Sequence, residues 1–442
     1  MPDQARDHFV ADFARRSGAL PGSGTPWVER MRRLALEQFA ATGFPSAREE
    51  DWKYTNVEPI ARHRFDAPTR PATAITPGQV AALAFGENTS EHLLVFVDGF
   101  FVSSLSRTGT LPRGAVVASL AQMLAREPQR VEPFLADSAA ATPFAALNTA
   151  FAAEGAFIHV PRGVAIDAPI HLLYLSTSAN AVIQPRTIIV AEQDTTATVL
   201  EQHSGPDGTT YFTNAVTQVV LGANASLEHY KLQQEGDAAF HVAAIQVRQQ
   251  RDSRYTSHSL ALGGLLARAD IGVRLDDTGC ECILNGLYVA GGSQLLDHHT
   301  RIDHAHPRGT SRQYYRGILD GRSRGVFAGR VVVHKGAQKT DAHLANHNLL
   351  LAREAEVDAK PQLEIYADDV KCGHGTTVGQ LDDNMVFYLR SRGIPADLAR
   401  ALLTYAFAHD VIGRIRLAPL RARMEDILIA RLPEGKLIRE NA

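Results

Sequence analysis

Over the first 150 residues, apolar positions recur every three or four residues. Phe9, Val10 and Phe13, then Val28, Met31, Leu34 and Ala35, would share a face of a 3.6-residue helix, so the spacing predicts a mostly helical region over 1–150. Ser46, with Glu49 three residues later, suits a capping box ahead of Asp51, Trp52, Lys53 and Tyr54. A short β element interrupts the helices. The apolar runs 94–97 and 100–102 flank Asp98-Gly99, a pair that readily adopts the positive φ angles of a tight hairpin. Helix is expected again from about Val117 to Phe151.

From about Gly155 the helical period disappears. Short β-branched runs take over at 157–160, 187–190, 215–220, 242–247, 271–275 and 331–333, separated by turn signals such as Gly222-Ala223-Asn224-Ala225, Asp276-Asp277-Thr278-Gly279 and Gly291-Gly292. More than two hundred residues of strand and turn exclude a doubly wound βαβ sheet and leave a sandwich, a propeller or a stacked solenoid. Short strands at fairly even spacing favour the solenoid over 151–380, although no fixed repeat length stands out. A third region, 381–442, returns to helix: Asp382-Asp383 can cap a helix ending at Gly393, and a second runs from about Ala396. That second helix carries two apolar stripes, one through Leu398, Leu402 and Tyr405 and another through Ala399, Leu403 and Phe407. Either it is buried on both sides within its own domain or one stripe waits for a partner. A third helix is expected over 419–432.

Composition narrows the function class. The chain has 442 residues, 45% of them hydrophobic, and 45 basic residues against 48 acidic ones, so a large core is affordable and no global field would draw it to nucleic acid or an anionic membrane. No stretch approaches the roughly 18 apolar residues of a membrane span, and the charged N-terminus lacks a secretory pattern, so a cytoplasmic location is expected. Three cysteines, Cys280, Cys282 and Cys372, are too few for a disulfide framework. The common phosphate-loop, zinc-protease and nucleophile-elbow motifs are absent.

Several polar clusters could still carry chemistry. His298, His299, His304 and His306 crowd an Asp-rich stretch with Asp297 and Asp303, and His343 and His347 lie near Asp341. Residues two or four apart share a strand face, so these histidines could converge on one ion, but isolated surface histidines are the stronger explanation. Cys280 and Cys282 would alternate onto one face, as metal ligands or as buried small hydrophobes. The segment 361–379 is more pointed. Cys372 and His374 would face one side of the last strand, Gly373 and Gly375 would let another backbone or a ligand come close, and Asp368 and Asp369 would add oxygen donors. Two protein ligands cannot complete a four-coordinate site, so a second subunit would supply the rest. As the final strand of a solenoid, it would also expose an edge for pairing with another chain.

The run from Lys360 to Gly375, followed by Val378-Gly379-Gln380-Leu381-Asp382 and by 387–394, resembles the C-terminal signature of the SufB/SufD family of iron-sulfur cluster assembly proteins. Trp52-Lys53-Tyr54-Thr55, Asn346-His347-Asn348-Leu349-Leu350 and Ala355-Glu356-Val357-Asp358 extend the resemblance over most of the chain, and the N-terminal segment sides with the SufD branch. The resemblance implies a mainly β fold, a right-handed parallel β-helix flanked by N-terminal and C-terminal helical domains. It implies a non-catalytic scaffold that pairs with SufB and binds the ATPase SufC, with a homodimer where SufB is absent. His374, with Cys372, would form a cluster-assembly site shared with SufB. Asp369, Lys371, Gly373 and Gly375 would face SufB; Tyr388, Arg390, Arg392, Leu403 and Phe407 would face SufC. An iron-sulfur cluster or iron would pass transiently through the interface, with reduced flavin a candidate in the complex and nothing bound tightly by the isolated chain. Cys280 and Cys282 match no motif of the family. Two other readings remain: a β-helical polysaccharide lyase or hydrolase of secreted type, and a stand-alone histidine-rich metal enzyme.

Overall fold

A computed structural model describes residues 2–84, 91–135, 142–432, 435 and 438. Two long sheets face each other, and from Thr196 onward the chain visits them alternately. The strands Thr196–Ser204, Ser226–Gln234, Arg254–Ala261, Glu281–Ala290, Thr310–Leu319, Asp341–Leu350 and Lys371–Gly379 lie side by side in sheet I. Sheet II holds Phe212–Leu221, Phe240–Gln249, Leu266–Leu275, Leu295–His304, Arg324–Val333 and Glu356–Ile365. All these pairings are parallel, which makes the core a β-solenoid. Register partners Thr196, Ser226, Arg254, Glu281, Thr310, Asp341 and Lys371 follow one another at intervals of 27 to 31 residues. This drift in coil length hides the repeat from the sequence.

One turn column fixes the coil. Asp194, Asn224, Asp252, Gly279, Arg308 and Lys339 all adopt left-handed backbone angles, φ between 55° and 74°, where each chain crosses from sheet II to sheet I. Each donates its N–H to a carbonyl of the next turn, at 2.7–3.3 Å: Ala223, Arg251, Thr278, Pro307, Gln338 and Asp369 respectively. Asn, Asp and Gly tolerate this conformation at little cost, which is why the turn signals at 222–225 and 276–279 fall here, whereas Gly291-Gly292 marks the opposite crossing, from sheet I to sheet II.

The six β-branched runs expected from the sequence all lie in sheet II, which also takes in Ala156–Val160 and Arg186–Ala191. Sheet I is different because its inward side chains are often polar. Glu201, Lys231, Ser259, Gly286, Tyr315 and Asn346 form one inward column, and Glu201, Lys231 and Glu235 are buried completely. Glu201 accepts from Thr217 at 2.9 Å, and Glu235 pairs with His241 at 2.6 Å. Burial alone would push both carboxyls up, but His229, Lys231 and Thr217 around Glu201, and His241, Thr213 and Gln233 around Glu235, hold them below the usual range.

Helices cover the outer faces. The N-terminal helices Pro2–Arg16 and Pro26–Thr42 belong to a cluster in which Phe39, Trp52 and Phe144 meet Phe212, Phe240 and Leu266 of sheet II. The C-terminal helices Ala396–Ile412 and Ala418–Arg431 press Leu398, Val411, Met424 and Leu428 onto Leu200, Leu232, Leu260 and Leu287 of sheet I. Among the described residues, no helix is long and apolar enough to cross a membrane.

Three local expectations change. The region from Val117 is not one helix: Val116–Ser119 pairs antiparallel with Ala156–Val160, and short helices Leu120–Arg126, Pro128–Leu135 and Pro143–Ala150 follow, the first two divided at Pro128. Residues 136–141 of that expected helix lie outside the described residues. Only half of the capping box forms, Ser46 N–H to Glu49 Oε1 at 2.8 Å, ahead of a single 3₁₀ turn, Glu50–Trp52. Leu34 is exposed, on the solvent side of its helix. The hairpin at Asp98-Gly99 does form, with φ of 49° and 81°.

The N-terminal segment is anchored through one guanidinium. Arg268 lies 3.6 Å from the Trp52 ring centroid, donates to the Asp51 carbonyl at 2.7 Å, and pairs with Asp270 at 2.8 Å and Asp297 at 3.0 Å. Burial pushes the Asp297 carboxyl up, but His299, Arg268 and Thr55 outweigh it and hold that group well below the usual carboxylate range. Replacing Arg268 with Ala takes from buried Asp297 one of its two cationic partners, leaving His299, and should cost about 3–5 kcal/mol, read as a lower urea midpoint. Because the folded pKa of Asp297 is depressed, its contribution is complete above the unfolded value near 3.9 and disappears as pH falls through the folded one. Acid titration of Asp297→Asn should therefore show a shallower loss of stability below about pH 4 than the parent chain.

Candidate functional site at the open end of the solenoid

Among the described residues, the last coil has no successor: Lys371–Gly379 pairs only with Asp341–Leu350, and Glu356–Ile365 only with Arg324–Val333. Lys371 N–H donates inward to Thr340 at 2.8 Å, so by strand alternation the backbone groups of Cys372, His374, Thr376 and Val378 point to the open edge. In sheet II, Glu356 N–H donates to Ser323 at 3.0 Å, which turns residue 361 to the open edge as well. That residue is Pro361, whose missing N–H costs nothing there.

Alternation also places the side chains. Cys372 is in register with Ala342, and His374 with Leu344, both core-facing positions one coil earlier. Cys372 and His374 thus share one side of the strand, as the spacing predicts, and that side faces the uncapped end of the core. Cys372 is half-buried and packs with Val331, Val333, Ala337 and Ala342. Burial pushes its thiol above the ordinary range, so it is protonated at neutral pH and must lose its proton before ligating a metal. His374 is exposed.

The aspartates do not join this pair. Asp369 forms an ion pair with Lys339, its N–H donates to Gln338 Oε1 at 2.9 Å, and its carbonyl closes the turn column. Asp368 is exposed on the same turn. Their expected place beside Cys372 and His374 is corrected: the turn uses Asp369 to finish the coil. Among the described residues, no group of three or more His, Cys, Asp or Glu is placed to hold a metal ion. The histidine clusters are dispersed by strand alternation. His298 is buried between Tyr288 and Tyr315, His299 pairs with Asp297 at 3.2 Å, His304 bonds Ser311 at 2.9 Å, and His306 is exposed on a turn. His343 and His347 do share the outer face, but one pairs with Asp341 at 3.1 Å and the other bonds Thr377 at 2.8 Å. Cys280 and Cys282 are buried, with Cys280 Sγ donating to the carbonyls of Gln250 and Asp277 at 3.1 and 3.2 Å.

Beyond the last strand, the helix Asp383–Ser391 stands largely in solvent, with Met385, Phe387 and Tyr388 56%, 70% and 58% exposed. Arg390 and Arg392 are exposed, and Arg392 donates to Tyr388 Oη at 3.2 Å. In the next helix, Ala399 is fully buried and Phe407 is held by this chain itself: its carbonyl accepts from Arg316 at 2.6 Å, and that guanidinium lies 4.4 Å from its ring. The second apolar stripe is therefore largely spent on intrachain packing, with Leu403 half-buried. Sequence reading missed the exposure of Met385, Phe387, Ile365, Tyr366 and Val378. A clue was present in Met385, Phe387 and Tyr388, which do not fall on one face of so short a helix.

Two family descriptions match the chain: "SufBD protein N-terminal region" over residues 3–172, and "SUF system FeS cluster assembly, SufBD core domain" over 174–407. Curated relatives agree along nearly the whole length. An iron-sulfur cluster assembly SufBD family protein of Synechocystis is 31% identical over 428 residues, covering 94% of each chain. The iron-sulfur cluster assembly protein SufD of Escherichia coli is 34% identical over 405 residues, 90% of this chain and 92% of that one. SufD of Bacillus subtilis is 25% identical over 420 residues, 91% and 93% of the two chains.

The three thiols should separate by reactivity. Iodoacetamide labelling of the native chain, read by mass spectrometry, should modify Cys372 alone, faster as pH rises toward and above 9; denaturation should release all three. Native labelling of Cys280 or Cys282 at a comparable rate would contradict their placement.

Proposed function

This chain belongs to the SufBD family of the SUF iron-sulfur cluster assembly system, and on that premise we propose that it is a scaffold subunit whose open last coil pairs with SufB. One observation carries the reading: the solenoid ends in two long strands, of nine and ten residues, each of which has one edge unpaired among the described residues, with exposed His374 on the rim. Such edges invite strand addition and are a hazard unless a partner covers them.

In this proposal the joint is where iron and sulfide meet. His374 offers an imidazole, Cys372 a thiol that becomes a ligand once deprotonated, and SufB supplies the remaining donors. The cluster is cargo, held only until an acceptor takes it. The C-terminal helices dock SufC, with Met385, Phe387 and Tyr388 as the apolar contacts and Arg390 and Arg392 as the polar ones. ATP binding would draw two SufC subunits together, and the movement would pass through these helices to the SufB joint and open the site. This chain contributes no catalytic group of its own, and the assembly works in the cytoplasm.

Anaerobic co-purification with SufB and SufC, followed by iron and sulfide measurement, tests the assignment. His374→Ala should leave the three-protein complex intact while lowering cluster yield severalfold. An unchanged yield would contradict the role of His374, and failure of the parent chain to recruit SufB would remove the scaffold reading.

A further inference from the structure

Glycines inside the earlier strands have a cause within the chain. A Cβ added to Gly286 would lie 2.0 Å from the Tyr315 ring, one on Gly317 2.2 Å from Tyr288, and one on Gly329 2.4 Å from Leu344. The last strand breaks this rule. Around Gly375 and Gly379 an added Cβ meets nothing within 4 Å, and at Gly373 it meets only the exposed His343 ring, at 3.4 Å. None of the three has the positive φ that would demand glycine. Three glycines in one nine-residue strand weaken it and gain nothing from this chain.

Strand addition at the edge does not explain them either. Side chains stand perpendicular to a sheet, so a neighbour joining edge-on has no need of bare positions. What needs them is a body lying on the sheet face. Gly373 and Gly375 register with His343 and Ala345 on the outer face of sheet I, where they floor a groove of about 390 Å³. Tyr314 and Arg414 line its other side. The Arg414 guanidinium lies 4.1 Å from the Tyr314 ring centroid, and its Nε donates to the Asp410 carbonyl at 3.0 Å. Among the described residues it has no carboxylate partner within ion-pair distance. Among the described residues, the lining of the groove carries Arg312 and Arg414 and no carboxylate; Arg312 is bound from outside the lining by Asp341 at 2.7 Å, which leaves Arg414 as the unanswered charge.

We infer that an acidic segment of the partner polypeptide lies across the outer face of the last coil, its backbone against Gly373 and Gly375 and a carboxylate on Arg414. The inference rests on the pairing of this coil with SufB and adds a second contact, on the face as well as on the edge. Bare glycine lets a backbone approach closely, and the excess positive charge selects the sign of what approaches.

Two kinds of variant separate face from edge. Gly375→Val adds a side chain that this chain accommodates and that suits a strand, so the free chain should keep its circular dichroism and melting temperature. Thr376→Pro removes an N–H that points to the open edge and leaves the face untouched. Binding of purified SufB, measured calorimetrically at two salt concentrations, should weaken at least tenfold for Gly375→Val. Arg414→Glu should weaken it comparably and flatten its salt dependence. Parent-like binding by Gly375→Val, with binding lost in Thr376→Pro, would overturn the face contact and leave edge pairing standing. Parent-like binding by both would overturn edge pairing and the face contact together. Loss with Gly375→Val but not with Arg414→Glu would overturn the acidic character of the segment.

Discussion

The structure depends on a backbone ladder that each coil completes for the one before it. Parallel pairing satisfies the N–H and C=O groups of both sheets, and the column of left-handed residues from Asp194 to Lys339 does the same for the turns. Any stack built this way leaves its last member incomplete. Here the incompleteness falls on Glu356–Ile365 and Lys371–Gly379, so the same rule that builds the core also produces the surface on which function is proposed. Helices shield part of the outer face of each sheet, and among the described residues none covers this end.

Half of the solenoid was legible in the sequence. Sheet II buries Val, Ile and Ala on both faces, so strands such as 242–247 and 331–333 announce themselves as β-branched runs. Sheet I strands read as polar: Ser226–Gln234 carries Glu228, His229, Lys231 and two glutamines, and Arg254–Ala261 carries His258 and four hydroxyls. Their inward polar groups are paired only after the coils stack, as Glu201 is with Thr217, and no local pattern foretells a partner sixteen residues away. The repeat was hidden for a related reason, since turns absorb one or two residues without disturbing the ladder.

The candidate site was legible in its composition and only partly in its geometry. Cys372 and His374 two apart on a final strand suffice to place both on one side, and the structure puts them there. The neighbouring aspartates looked like donors because oxygen and metal chemistry go together, but Asp369 is committed to Lys339 and to the turn. For the helix Ala396–Ile412, two apolar stripes signalled burial on two sides, and the sheet under Phe407 claims most of the second one. The exposed Phe387 and Tyr388, by contrast, become meaningful only once the fold shows that nothing in the described chain covers them.

Residue-resolved hydrogen exchange with and without SufB tests the central claim most directly. The amides of Cys372, His374, Thr376 and Val378 should exchange rapidly in the free chain and become protected when SufB is added, while those of Gly373, Gly375 and Thr377, already laddered to Asp341–Leu350, should change less. SufB binding that leaves the four edge amides in fast exchange, with new protection confined to other parts of the chain, would contradict the account.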